Sequence, residues 1–186
     1  MRFLIRVLPG AGRGQDLLRV VRTLSKYLGA RAVNPKWTSY GALELDVFVA
    51  NPSDLDVLLA AVEPLASVEF SRNLDDPPKP RSKEEIVERA VALFNAERFF
   101  ESHEDLESLW RTAQGGEKEL LQGMILVCAA FVHEQKGERS VALGIVKRSL
   151  PKLAWTEREY HGIDVGRLER RMERALSQGD LAVFKI

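Results

Sequence analysis

The 186 residues are enough for one large domain or two small ones, and their 45% hydrophobic and 29% charged content is that of an ordinary globular protein. The 27 basic side chains balance the 27 acidic ones, so the overall charge indicates neither a nucleic acid nor a membrane as partner. The single cysteine, Cys128, excludes an internal disulfide and fits a reducing cytoplasm. The longest apolar run, residues 124–132, is too short to span a bilayer. We therefore expect a cytoplasmic protein with no membrane association.

Residues 1–72 predict a small α+β domain. Alternating apolar residues indicate strands, and apolar residues at helical spacing indicate helices. In chain order the predicted elements are a strand at 2–8, a helix at 17–28, two strands within 31–50 that turn at 39–41, a helix at 55–62 and a strand at 68–71. We expect Ser53 to cap the second helix. This βαββαβ order is the pattern of ferredoxin-like folds, in which two helices cover one face of an antiparallel sheet. Such domains often pair, so we expect a homo-oligomer, most simply a dimer.

A proline-rich connector is predicted at 73–82, where three prolines occur in four positions among charged residues. An all-α domain is predicted at 83–178, and a tail at 179–186 that forms either a short strand or an apolar segment docked on one of the two domains. The predicted helices begin after Ser82 and then cover 99–113, 117–135, 139–150 and 164–177. We expect Pro151 to stop the fourth of these helices.

The second of these helices holds the candidate site, in the stretch FFESHEDLESLW at 99–110. At about 100° per residue, one inward stripe collects Phe99, His103, Leu106, Trp110 and Ala113. Glu107 lies at the edge of this stripe, one turn from His103. Three side chains are predicted to face water: Glu101, Asp105 and Ser108. If the next helix runs antiparallel, Gln122 comes level with the His103–Glu107 pair. The candidate pocket is therefore His103, Glu104, Glu107, Trp110 and Gln122.

Three interpretations of this group stay open. A buried His–Glu–Gln network can simply fix helix register. The same side chains can form a pocket for a small ligand or a divalent metal ion, with His103 and Glu107 as metal ligands. They can also catalyse a reaction, with His103 as the base and Glu107 orienting its ring. The spacing is His-Glu-x-x-Glu, so the second histidine that a zinc protease helix requires is missing at position 107.

Residues 84–153 resemble a prokaryotic family known as domain of unknown function number 309. The resemblance is carried by Phe94-Asn95, by the His-Glu-x-Leu-Glu-x-x-Trp run at 103–110, by Gln122-Gly123 and by the Ala-Ala-Phe-Val-His run at 129–133. The chain departs from the family pattern at Ala96-Glu97, where a glycine is expected. The resemblance implies an all-α helical array, and it implies no activity.

A stripe of arginines marks the last predicted helix, at the helical spacing i, i+3, i+4 and i+7. Its members are Arg167, Arg170, Arg171 and Arg174. Either Glu169 and Glu173 neutralise it as part of a solvated face, or it binds the phosphates of a nucleic acid.

Our leading hypothesis is a cytoplasmic module that binds a ligand or a protein through the polar pocket of the helical domain. One alternative is a metal-dependent hydrolase centred on His103 and Glu107, with nucleic acid as a candidate substrate. The other alternative is nucleic-acid binding through the arginine stripe. The sequence identifies no cofactor, and a divalent metal ion is the one we consider.

Overall fold

The computed structural model describes residues 1–77 and 79–186, which form two compact units, Met1–Lys79 and Pro80–Ile186. Pro78, which belongs to the predicted connector, lies outside the described residues. The first unit is α+β and the second is mainly helical, as predicted. Within the two described ranges, no helix combines the length and the apolar character needed to cross a bilayer.

The N-terminal unit has the predicted ferredoxin-like topology. Its elements are β1 (Arg2–Pro9), α1 (Gly14–Tyr27), β2 (Arg31–Trp37), β3 (Leu43–Phe48), α2 (Pro52–Val62) and β4 (Ala66–Asn73). Among residues 1–77, these four strands form one antiparallel sheet in the order β2-β3-β1-β4. This is the split βαβ arrangement, because β3 lies between β1 and β2 and runs antiparallel to both.

Alternation along the strands gives this sheet one apolar face. Ile5 lies opposite Leu45 in the register of β1 and β3, and both side chains are buried with Leu17 of α1 and Leu58 of α2. The two helices therefore cover this face. The predicted cap of α2 is wrong by two residues. The helix begins after Asn51, whose N–H donates to the Asp54 carboxylate, because Pro52 has no N–H to satisfy at the first helical position.

The helical unit contains five helices within residues 79–186, as predicted, and also a small hairpin. The elements are α3 (Lys83–Asn95), α4 (Phe99–Trp110), α5 (Gly115–Gln135), α6 (Arg139–Leu153), β5 (Glu159–Tyr160), β6 (Ile163–Asp164) and α7 (Val165–Gln178). Ser82 caps α3 through the predicted capping box with Glu85. Pro151 does not stop α6. It lies in the last turn, where a proline costs a single backbone hydrogen bond, and the helix ends at Leu153.

Helix α5 is the centre of the helical unit and packs against both α4 and α6. Its side chains are buried nearly all the way round, and Cys128 is a small core residue as predicted. The rings of Phe94, Phe99 and Phe131 pack together, with Phe99 stacked on Phe131 at 4.6 Å between centroids. These rings join α3, α4 and α5 into one apolar core.

The predicted tail is docked on the helical unit and contributes to its core. Leu181 and Phe184 are buried, and no residue from 181 to 186 belongs to a helix or strand. Phe184 extends the aromatic cluster by contacting Phe94 and Phe131. We call these six residues segment 181–186.

Candidate functional site

Helix α4 buries a stripe that is rotated slightly from the predicted one. The buried residues include Phe99, Ser102, Leu106 and Leu109. His103 therefore lies at the edge of the stripe and is half-buried. Glu101 was predicted to face water, and this prediction is wrong. Its side chain is 1% exposed and forms an ion pair with Arg98, which supplies the charge that a buried carboxylate requires.

Ser102 makes the buried hydrogen bond of this helix. Its hydroxyl donates to the Ala90 carbonyl of α3 at 2.8 Å and accepts from the Cys128 thiol of α5 at 3.5 Å. This small polar group ties three helices together in an apolar environment, and burial raises the pKa of the Cys128 thiol to about 12. The sequence contains one sign of this role. Ser102 lies three residues after Phe99, so both side chains lie on the same face of α4.

The imidazole of His103 makes no hydrogen bond or ion pair with any residue that the structure describes. Its predicted partner Glu107 forms an ion pair with Arg111 instead, at 3.5 Å. Gln122 is half-buried, and its side-chain amide is likewise without a hydrogen-bond partner among the described residues. The predicted His–Glu–Gln network is therefore not closed in this structure.

Trp110 sets the register between α4 and α5. The Lys118 ammonium lies over the Trp110 ring, 4.6 Å from its centroid. Because the connection between the two helices is short, they run antiparallel, and the next turn of α5 after Lys118 comes level with the turn of α4 before Trp110. Gln122 lies about one turn after Lys118 on α5, and Glu107 about one turn before Trp110 on α4. We call His103, Glu107, Trp110 and Gln122 the α4–α5 polar strip.

The remaining acidic residues of α4 lie outside this strip. Glu104, predicted as part of the pocket, is exposed, and Asp105 forms an ion pair with Arg89 of α3. Throughout residues 1–77 and 79–186, no three His, Cys, Asp or Glu side chains converge in a way that could hold a metal ion.

Comparison with known families identifies the helical unit. Residues 87–145 match the family described as domain of unknown function DUF309. The helical unit thus contains a DUF309 domain, and we call this unit the DUF309 unit. A crystal structure of a conserved hypothetical protein from Thermus thermophilus is 32% identical, covers 48% of this chain and 94% of its own, and superposes with a TM-score of 0.43. The comparison with curated proteins found no match.

Several residues that characterise the DUF309 unit have structural roles. A Cβ at Gly123 would lie 3.0 to 3.2 Å from atoms of Lys152 and Leu153, so this glycine permits the close packing of α5 on α6. Glu97 adopts a φ of 56° at the turn where a glycine was expected, and its carbonyl accepts a hydrogen bond from the buried Gln135 amide. Glu97 therefore holds the left-handed conformation that a glycine would adopt with less strain.

The arginine stripe of α7, which lies outside the matched residues 87–145, is mostly exposed. Glu169 forms an ion pair with Arg158, outside the stripe. Arg171 is half-buried with its guanidinium 5.4 Å from the Phe184 ring centroid. The other three arginines are exposed and form no ion pair with a described residue: Arg167, Arg170 and Arg174.

A buried ion cluster in the N-terminal unit was not predicted. Glu44 accepts from both Arg6 and Lys36, with Nη2–Oε2 and Nζ–Oε1 distances of 2.8 and 2.6 Å, and all three residues are 2% exposed. Burial opposes the charge of Arg6, but Glu44 outweighs this effect and the pKa of the guanidinium is raised. The sequence carries part of this signal, because Arg6 and Glu44 alternate with apolar strand residues, whereas the register that brings Arg6 and Lys36 to Glu44 is set by the fold.

A second polar cluster joins three elements of the DUF309 unit. The Glu117 carboxylate of α5 accepts from Lys83 of α3 at 2.7 Å and from the Tyr160 hydroxyl of the hairpin at 2.8 Å. The bond from Lys83 is the largest cause of the lowered pKa of Glu117. Burial and the same carboxylate raise the pKa of Tyr160. This cluster fixes the hairpin against the helices.

Proposed function

We propose that the DUF309 unit is a binding module that recognises a small polar ligand through the α4–α5 polar strip. The observation that supports this function is the state of His103 and Gln122. Each is half-buried, yet neither uses its hydrogen-bonding groups on any described residue. Partly desolvated donors and acceptors of this kind are available to an incoming ligand.

The flanking residues give this strip a mixed chemistry. Trp110 offers an aromatic surface that Lys118 covers in part, and the ion pair of Glu107 with Arg111 is exposed enough to rearrange at little cost. A ligand with both a planar apolar part and hydrogen-bonding groups matches these side chains. If His103 served only to hold the helices together, we would expect it to hydrogen-bond a group on a neighbouring helix, and it makes no such bond with a described residue.

Ligand-dependent thermal unfolding of the full chain tests the proposal. A panel of small polar compounds should contain at least one that raises the melting temperature of the wild type and not that of His103→Ala or Gln122→Ala, since a ligand stabilises only the state that binds it. Ser108→Ala is the matched control, because Ser108 is exposed on the same helix and should leave the shift unchanged. A compound that shifts wild type and His103→Ala equally would bind elsewhere.

The metal-dependent hydrolase stays an alternative, with no comparable observation in its favour. A metal site would need a third ligand besides His103 and Glu107. No such group of three is found among the described residues. The same assay addresses it with Zn²⁺, Mn²⁺, Ni²⁺ and Mg²⁺ in the panel. One ion that stabilises the wild type and not His103→Ala would move this alternative ahead.

The dimer and the cytoplasmic location likewise stay proposals. Light scattering after gel filtration measures the oligomeric state.

Nucleic-acid binding is the second candidate, because three arginines of α7 are exposed without ion pairs among the described residues. Phosphate contacts release counterions, so affinity for a labelled single-stranded oligonucleotide should fall steeply from about 50 to 200 mM salt. The triple variant with Arg167, Arg170 and Arg174 changed to glutamine should lose this affinity. A flat salt response in the wild type would exclude this candidate.

A further inference from the structure

The ammonium group of Lys118 has no carboxylate to balance its charge. Lys118 is half-buried in the first turns of α5, and it forms no ion pair with any residue that the structure describes. The Trp110 ring lies beneath the ammonium, with 4.6 Å between Nζ and the ring centroid. This cation–π contact holds the group in place. It leaves the positive charge uncompensated, because the ring is neutral.

The carboxylates next to Lys118 in the chain are bonded to other groups. Glu117 accepts a hydrogen bond from Lys83 of α3 at 2.7 Å, and Glu119 accepts one from Lys152 of α6 at 2.7 Å. Both neighbours also project from other sides of the helix, because successive residues are about 100° apart. Neither carboxylate therefore neutralises Lys118.

The surface formed by Lys118 and the α4–α5 polar strip carries more positive than negative charge. The carboxylate of the strip, Glu107, forms its ion pair with Arg111 at 3.5 Å, which leaves Lys118 as the excess charge. Protonation of His103 adds to this excess, and the other two members of the strip are neutral. A partly desolvated cation attracts an anion more strongly than a fully solvated one does, because the effective dielectric constant is lower.

The spacing along α5 indicates the size of a ligand that uses this charge. Lys118 and Gln122 are one turn apart on the same face of the helix, about 6 Å along its axis. The ammonium binds a negative group, and the half-buried amide of Gln122 offers a donor and an acceptor one turn away. A single aromatic ring holds two para substituents at a comparable separation.

We propose that the ligand of the α4–α5 polar strip is a small aromatic carboxylate. Its carboxylate bonds to the Lys118 ammonium, and a hydrogen-bonding group on the opposite side of the ring bonds to Gln122 or His103. Trp110 positions the ammonium before the ligand arrives, which lowers the ordering cost of binding. This inference rests on the proposed function and extends it to the charge and the size of the ligand.

The test uses pairs of aromatic compounds that differ in charge and have nearly the same shape. Each pair is an acid and its primary amide, such as 4-hydroxybenzoate and 4-hydroxybenzamide. Thermal unfolding of the full chain identifies the pairs that bind, and isothermal titration calorimetry measures both affinities. We expect at least one acid to bind the wild type about tenfold more tightly than its amide. This preference should decrease as salt is added, because ions screen a partly exposed charge.

Three lysine variants assign the preference to one side chain. Lys118→Gln should weaken binding of the acid about tenfold and leave binding of the amide unchanged, whereas Lys118→Arg should keep the preference for the acid because it keeps the charge. Lys136→Gln is the matched control. Lys136 is exposed at the other end of α5 and forms no ion pair with a described residue, so this variant should bind as the wild type does.

The outcomes separate this inference from the proposed function. If the wild type binds acids and amides equally, or if Lys118→Gln binds the acid as the wild type does, the inference is overturned. Binding that still requires His103 then supports the binding module alone. If no compound requires His103, both are overturned. The comparison of acid and amide uses the wild type, so it is decisive even if Lys118→Gln fails to fold.

Discussion

The contact between α5 and α6 can be tested with two glycines that differ in their surroundings. Gly123 lies in the interior of α5, where an added Cβ would come within 3.0 Å of the Leu153 Cδ2 and 3.1 Å of the Lys152 carbonyl carbon. Gly144 lies in the interior of α6, where the same Cβ would meet nothing within 4 Å. Alanine at either position gains about 1 kcal/mol of helix propensity.

The sign of the effect on stability should therefore differ between the two variants. Gly144→Ala should stabilise the protein by roughly 0.5–1 kcal/mol. In Gly123→Ala, overpacking costs roughly 1–3 kcal/mol, part of it against backbone that cannot rotate away. The propensity gain offsets only part of this cost, so the net result should be a loss of up to about 2 kcal/mol.

Urea unfolding followed by circular dichroism at 222 nm measures both variants against the wild type. With a slope of about 1–3 kcal/mol/M, a difference of about 2 kcal/mol between the variants separates their midpoints by roughly 1 M. The order of midpoints should be Gly144→Ala, wild type, Gly123→Ala. If Gly123→Ala is as stable as Gly144→Ala, the close approach of α5 to α6 is incorrect, and so is the structural role assigned to this glycine of the DUF309 unit.

Three further predictions concern single side chains of the helical unit. Ser102→Ala should destabilise the protein by about 1 kcal/mol in the same urea assay, because it removes the buried side-chain hydrogen bond to the Ala90 carbonyl and the acceptor of the Cys128 thiol. The exposed Ser108→Ala should change stability by less than about 0.5 kcal/mol, and equal effects would refute the role of Ser102. Ser82→Ala should cost about 1 kcal/mol through loss of the α3 cap, and no change in melting temperature would contradict the capping box. Cys128 should resist iodoacetamide at about pH 8 until urea unfolds the chain, since burial raises its pKa to about 12. The unfolded thiol, with a pKa of about 8.5, loses its proton first as the pH rises, so stability should fall from there toward about pH 12, and Cys128→Ala should lack this part of the decline.

Periodicity in the sequence was sufficient to predict the order of the main elements. The alternation of Phe3, Ile5 and Val7 defined the first strand, and the capping box of Ser82 and Glu85 marked the start of the helical unit. These signals are local, since they depend on residues two to four positions apart. The two-residue strands β5 and β6 were missed because strands this short produce no alternation to detect.

The details of the candidate site depend on contacts that local patterns do not encode. Apolar residues alone placed Glu101 on the solvent side of α4, whereas Arg98 one turn earlier makes its burial tolerable. The short connection between α4 and α5 indicates which turns come level, but it does not determine the hydrogen bonds of His103. The position of segment 181–186 depends on Asn95, which is too distant in the chain for a sequence pattern to reveal.

Thermal unfolding with a ligand panel tests the proposed function most directly. The experiment compares the wild type, His103→Ala and Ser108→Ala across small polar compounds and divalent ions. We predict that at least one compound raises the melting temperature of the wild type and of Ser108→Ala by several degrees and leaves His103→Ala unchanged. If no compound distinguishes wild type from His103→Ala, and His103→Ala merely melts at a lower temperature, then His103 is part of the scaffold and the α4–α5 polar strip is not a binding site.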